Sequence, residues 1–392
     1  MKIDDIKAKV DAILPELKNC RRHLHANPEL SFNEKKTAEY IIGRLKESNV
    51  NFTKGWAGYG IVATIKSDYP DRPVVILRSD MDALPIQERE HPGQSCNPGI
   101  MHACGHDVHM TCLLGAVQVI SQFRQHLKQD IVCIFQPGEE KLPGGAKLML
   151  EEGAIHPDSA RAIFALHVFP ELEVGNTGFH SGPYMASTDE LYIEITGKGG
   201  HAAMPHKTIN PIVIASRIIN DIQTVISQKK NPFFPSVLNI GKINSVGGAT
   251  NVIPDKVLLE GTFRSLEESW RDEILDYLPG YIKQIAAMEG GSAVVNFVKG
   301  YPVLVNDEKV TSCAQLLAEE YLGKDQVYQL PPRMTAEDFA WYAQRIPACF
   351  FRLGTANEKA GITGQLHTAE FDVDETSIAI GCGVLTWIAL HF

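Results

Sequence analysis

With 392 residues, 44% of them hydrophobic and 21% charged, the chain has ordinary globular composition and enough length for a large core shared between two domains. A formal net charge of −10 speaks against a nucleic acid or an anionic membrane as the main partner, and no apolar run approaches a membrane span. The eight cysteines are scattered and no basic-then-apolar leader opens the sequence, so the chain reads as a cytoplasmic protein with reduced thiols.

Ile3, Ile6, Val10, Ile13, Leu14 and Leu17 recur at three- and four-residue steps and predict an amphipathic helix. Arg21-Arg22-His23-Leu24-His25-Ala26-Asn27-Pro28-Glu29-Leu30 follows, then a second helical pattern over 37–45. His23 and His25 are read as packing or capping histidines, not ligands. From 61 onward the pattern becomes strands alternating with helices. Strands are predicted at 61–65, 74–77, 131–135 and 162–166, with helices at 110–120 and 144–152. Three of these strands release chemistry at their carboxyl ends: Asp80 and Asp82, Glu139-Glu140, and His167. In an open α/β sheet that edge is where ligands bind.

Residues 188–299 change character. Strands at 190–196, 236–243, 256–264 and 292–298, with helices at 211–228 and 267–288, give the order β-α-β-β-α-β of a ferredoxin-like sandwich. Its edge strands need protection, which pairing with a second subunit would supply. After 303 the α/β pattern resumes, with a strand at 348–353 and a loop over 364–371. The expected fold is therefore a mostly parallel sheet flanked by helices, in 1–185 and 300–392, interrupted by a βαββαβ domain over 186–299.

The stretch Met101-His102-Ala103-Cys104-Gly105-His106-Asp107-Val108-His109 packs a thiol, three imidazoles and a carboxylate into nine residues. Cys104 and His106 can turn toward one point because glycine separates them, and thiolate with imidazole suits zinc and related divalent ions. Glu139 and Glu140 diverge as neighbours on a loop. One carboxylate can then hold a metal while the other takes a proton from water. Cys104, His106, Glu140, His167 and His367 together make five donors, more than one tetrahedral zinc uses, which points to two ions sharing a bridge. Asp82 could accept the second ring N–H of a ligating histidine. His102, Asp107 and His109 are left as supporting or loop-shaping residues. In the inserted domain, His201 on a glycine-rich loop, Asn251 and Arg264 offer an imidazole, an amide and a guanidinium suited to an oxyanion and a carboxylate.

Taken with Asp-Met-Asp-Ala-Leu-Pro at 80–85, Gln-Pro-Gly-Glu-Glu at 136–140, Gly-Gly-His-Ala-Ala at 199–203, Thr-Asn-Val-Ile-Pro at 250–254, Ala-Glu-Asp-Phe at 336–339 and Leu-His-Thr-Ala-Glu-Phe at 366–371, these stretches resemble the dinuclear-metal amidohydrolases. That family includes aminoacylases, hippurate hydrolases, N-acetyldiaminopimelate deacetylases and auxin-conjugate hydrolases. The resemblance implies that Cys104, His106, Glu140, His167 and His367 bind two divalent ions (zinc, manganese, nickel or cobalt), with Glu139 as general base and Asp82 supporting the centre. It implies that His201 reaches a partner's active site across a homodimer and stabilises the oxyanion, while Asn251 and Arg264 hold the substrate carboxylate. Gly138 stands where alanine is commoner in this branch. The expected reaction is amide hydrolysis of an N-acyl-L-amino acid. A dipeptidase or carboxypeptidase on the same scaffold is the nearer alternative, and a non-catalytic metal-binding protein the remoter one.

Overall fold

The computed structural model describes residues 2–69, 72–91 and 93–392. It divides into two compact units: Met1–Gly182 with Val305–Pro331 and Asp338–Phe392, and Pro183–Leu304 with Pro332–Glu337.

The first unit is built on an eight-stranded sheet. Its order is Asn51–Trp56, Gly60–Ile65, Ile131–Gln136, Val74–Asp80, Ala160–Glu173, Ala348–Ala356, Thr177–Phe179 and Val327–Gln329. The four central strands, from Ile131–Gln136 to Ala348–Ala356, run parallel, so their carboxyl ends share one edge. The sheet is mixed towards both ends, where antiparallel pairings appear. Continuous apolar runs such as Val75-Ile76-Leu77 and Ile134-Phe135 are buried, as expected of strands covered on both faces. Ile3–Ala26, His106–Gln122 and Ser377–His391 pack around it, and the last is apolar on all sides and almost wholly buried.

Three local differences from the sequence reading matter for the site. The first helix does not stop after Leu17 but runs to Ala26, so Arg21 and His25, one turn apart, share a face. The helix expected from 110 begins at His106, which places that imidazole and Asp107 in its first turn. The strand expected to end at Leu166 continues to Glu173, leaving His167 inside it. Val74–Asp80 pairs with that strand only as far as Ala165, whereas Ala348–Ala356 stays paired through Val168 and beyond. His167 therefore clears one neighbour's ladder while the other still holds its backbone.

The second unit has its own core. Its sheet order is Ser236–Val246, Lys256–Ser265, Asp189–Thr196 and Ser292–Lys299, antiparallel throughout. Leu191, Ile193 and Ile195 alternate inward against Pro211–Lys229 and Glu268–Met288, while Glu190 and Tyr192 face outward. This is the βαββαβ arrangement expected from the sequence, with the short pair Gly200–His201 and Val252–Ile253 added. Arg271 and Asp189, both fully buried, form a two-point ion pair at 2.8 and 2.7 Å.

Candidate metal centre

The turn into the helix His106–Gln122 is made by Gly105 in the left-handed region (φ 80°); a Cβ there would sit 2.4 Å from a Val168 methyl. This close turn brings Cys104 and His106 beside His167, the ligand atoms of all three lying within 4.8 Å of one another. The ligand atoms of Cys104, Glu140 and His367 form a second such group. The two trios share the thiol: Cys104 Sγ is 3.4 Å from His167 Nε2 and 3.3 Å from His367 Nε2. All five residues singled out from the sequence as donors are thus brought together. His367 lies half exposed on its loop with φ 62°, an orientation costing about 1–3 kcal/mol in a non-glycine residue, and its N–H is held by Ala103 O at 2.9 Å.

The donor set fits divalent cations. Both ring nitrogens of His106 and Oε1 of Glu140 are buried with no hydrogen-bond partner among the described residues. His167 Nδ1 donates to Val168 O at 2.7 Å, which leaves Nε2 as a lone-pair donor toward the thiol. Burial, with Arg352 and His109 nearby, holds the His167 pKa well below the ordinary value, so the ring is neutral. Burial and the charges of Glu140, Glu139 and Asp80 push the Cys104 thiol well above its usual range, so a thiolate here needs a cation beside it. Burial pulls the His106 imidazolium down, but Asp80, Asp82 and Glu140 outweigh it and raise the group to about 10. The enclosed carboxylates make this a place that favours positive charge.

Asp82 is fully buried beneath the centre. Its Oδ1 faces His106 Nδ1 at 3.4 Å and accepts the Glu139 N–H at 3.0 Å, while Oδ2 accepts the Glu140 N–H at 2.9 Å and the Ser31 hydroxyl at 2.6 Å. Asp80, ending its strand, takes Arg78 at 2.8 Å and His109 Nδ1 at 2.7 Å. His109 Nε2 accepts the Val168 N–H at 2.9 Å, so both its nitrogens are engaged. His102 is buried, and the loss of solvation pulls it down to about 4. Glu139 is buried, with Oε1 receiving the Asp338 N–H at 3.3 Å.

His201, Asn251 and Arg264 belong to the second unit. The His201 and Asn251 loops adjoin: Ala202 N–H donates to Asn251 O at 3.0 Å, and His201 Nδ1 accepts the Ala203 N–H at 3.1 Å. Arg264 lies on a separate strand, Lys256–Ser265, where burial lowers its pKa.

Sequence reasoning passed over His25. It bridges Asp107 Oδ2 (2.8 Å) and Glu88 Oε1 (2.9 Å), while Arg21 donates to the same Asp107 oxygen at 2.9 Å. The signal was present as a four-residue spacing in Arg21-Arg22-His23-Leu24-His25. Burial and Arg21 pull His25 down, but the hydrogen bonds to Asp107 and Glu88 prevail and raise it to about 8. A folded-state pKa above the ordinary 6.5 stabilises fully below pH 6.5 and is lost as pH rises through 8, a contribution of about 2 kcal/mol. Denaturant unfolding from pH 6 to 9 is therefore expected to show an alkaline loss of stability that shrinks by that amount in His25→Gln. An equal loss in both proteins would refute the assignment.

The family model described as Peptidase family M20/M25/M40 matches residues 76–391. An N-acetyl-L-cysteine deacetylase from Bacillus subtilis is 39% identical over 365 residues, covering 93% of this chain and 85% of that protein. Thermostable carboxypeptidase 2 from Saccharolobus solfataricus is 34% identical over 394 residues, covering 100% and 98%. Among solved structures, a Bacillus subtilis protein described as a dinuclear metal binding peptidase from the M20 family superposes with a TM-score of 0.84 at 33% identity, covering 97% of this chain and 98% of that one. With its glutamate doublet beside two donor trios that share a thiol, the chain belongs to the M20/M25/M40 peptidase family.

Proposed function

We propose that this protein hydrolyses the amide bond of N-acyl-L-amino acids, releasing a carboxylic acid and the free amino acid. The observation that carries the reading is the pair of donor trios sharing Cys104, with Glu139 within reach of the same space: ligand atoms of His106, Glu139 and Glu140 also lie within 4.8 Å of one another. Cys104, His106, Glu140, His167 and His367 would hold two divalent ions. Bound there, such ions acidify a water and polarise the scissile carbonyl. Glu139 takes the proton from the attacking water and passes it to the leaving amine. Asp82 keeps His106 oriented and fixes the backbone that carries both glutamates. His201 stabilises the oxyanion, and Asn251 with Arg264 holds the substrate carboxylate.

We further propose that the protein works as a cytoplasmic homodimer. The edge strand Ser236–Val246 pairs on one side only among the described residues, and Ile243 and Val246 stand about half exposed on it. A second copy would cover that edge.

The experiment is a turnover screen of N-acetyl, N-benzoyl and aminoacyl forms of the same L-amino acids, after dialysis against chelator and reconstitution with zinc, manganese, nickel or cobalt. Activity should vanish on chelation, return with at least one ion, and favour the acyl-capped substrates. Similarity to a carboxypeptidase along the whole chain supports a peptidase as the second reading, and preference for the aminoacyl series would select it. Metal-replete protein inactive on every series would overturn both.

A further inference from the structure

The loop that carries the two glutamates has three successive amides, and each ends on a buried carboxylate. Asp82 receives those of Glu139 and Glu140, at 3.0 and 2.9 Å. The amide of Gly138 goes instead to Glu34 Oε1, at 2.8 Å. Glu34 lies just ahead of the helix Lys35–Glu47, is fully buried, and has its second oxygen without a hydrogen-bond partner among the described residues. Its segment touches the loop elsewhere as well. Ser31 donates to Asp82, and the Phe32 ring lies over Gly138 so closely that a Cβ there would meet it at 2.4 Å.

Gly138 has φ 63° and no side chain to hold it there, and glycine populates other wells as readily. Its conformation sets the direction in which the next residue projects. From this we propose that Glu34 is a positioning residue for Glu139: by accepting the Gly138 N–H it locks the left-handed turn that aims the base. This rests on the reading of Glu139 as the general base.

A carboxylate is a costly acceptor to bury, and the neighbouring Asp82 charge adds to that cost; together they push Glu34 up to about 7. A purely packing role would not call for an acceptor at this point.

The test measures kcat, KM and bound metal for metal-loaded Glu34→Ala, Glu34→Gln and Glu34→Asp, using the N-acyl amino acid turned over fastest in the screen. Glu34→Ala should lose about 10- to 100-fold in kcat, as expected for a misaimed group, with KM and metal content unchanged. Glu34→Gln, whose amide oxygen accepts the same N–H, should recover most of that rate. Glu34→Asp withdraws the acceptor by one methylene and should be slow although charge and fold are kept, which covers the case of an unfolded Glu34→Ala. Combined with Glu139→Gln, the alanine change should cost little more than Glu139→Gln alone, because Glu34 acts through Glu139. Wild-type kcat in folded Glu34→Ala or Glu34→Asp would overturn the proposal, as would a glutamine variant as slow as the alanine one. An active Glu139→Gln single variant would instead overturn the reading of the base itself.

Discussion

Glu139→Gln is expected to keep its full metal content and lose turnover by about 10²–10⁴-fold. The substitution changes neither side-chain length nor the backbone contacts. The amide of residue 139 still reaches Asp82, and the side-chain oxygen can still accept the Asp338 N–H. What is removed is the carboxylate's charge and with it its basicity. Glu140→Gln is the contrasting variant: its oxygen faces His106 Nε2 at 3.9 Å and His367 Nε2 at 3.5 Å, so the loss should appear first as weaker metal retention. Metal analysis and steady-state kinetics on both variants separate the two roles. Glu139→Gln turning over within a few-fold of wild type would remove Glu139 as the base.

Asp338→Ala is expected to cost about 3–5 kcal/mol of stability, a large part of the 5–15 kcal/mol of a typical domain. Arg78 is fully buried and donates to Asp338 at 2.8 Å, to Asp80 at 2.8 Å and to Gln136 at 3.0 Å. Asp338 also receives the Gln136 amide, at 2.9 and 2.7 Å, and the Ala146 N–H at 2.9 Å. Truncation strips a buried cation of one partner and leaves neutral donors short of theirs, which is the costly direction of the asymmetry. Asp338→Asn keeps an acceptor while removing the charge and should fall between wild type and alanine. Denaturant midpoints with unchanged slopes measure the series, and a loss below about 1 kcal/mol for the alanine variant would contradict this account.

Asp338 also marks where the sequence was legible and where it was not. Periodicity identified the central strands because each is a continuous apolar run, and the inserted sandwich because its strands alternate and its helices repeat. The five donors could be gathered because four follow strands or turns with Gly or Pro beside them. The functions of Glu34, Asp338 and His25 were not legible. Each is a polar residue whose partner lies far along the chain, 104 positions for Glu34 to Gly138 and 199 for Asp338 to Glu139. Local pattern carries no information about such pairings. The extension of the first helix through residues 21–26 was hidden for a related reason: two arginines and two histidines look like a polar loop until Arg21 is seen to reach Asp107, and His25 both Asp107 and Glu88.

Arg271 and Asp189 hold one further consequence. Asp189, in the first strand of the inserted sandwich, pairs in register with Lys299 in its last. Thr188 N–H donates to Tyr301 O, and Gly300 N–H to Thr188 O, each at 3.0 Å. Arg271 ties the two ends by binding both Asp189 and Gly300 O. The two ends of the sandwich thus lie side by side, latched by one guanidinium. A sandwich closed in this way is a portable cassette, because a single in-frame exchange at 188 and 300 swaps a whole core and its outer edge. Residues 183–187 and 301–304, with Pro332–Glu337, are the parts of that unit that would stay behind. Such an exchange would replace the sandwich and leave Cys104, His106, Glu140, His167 and His367 untouched in the flanking sequence.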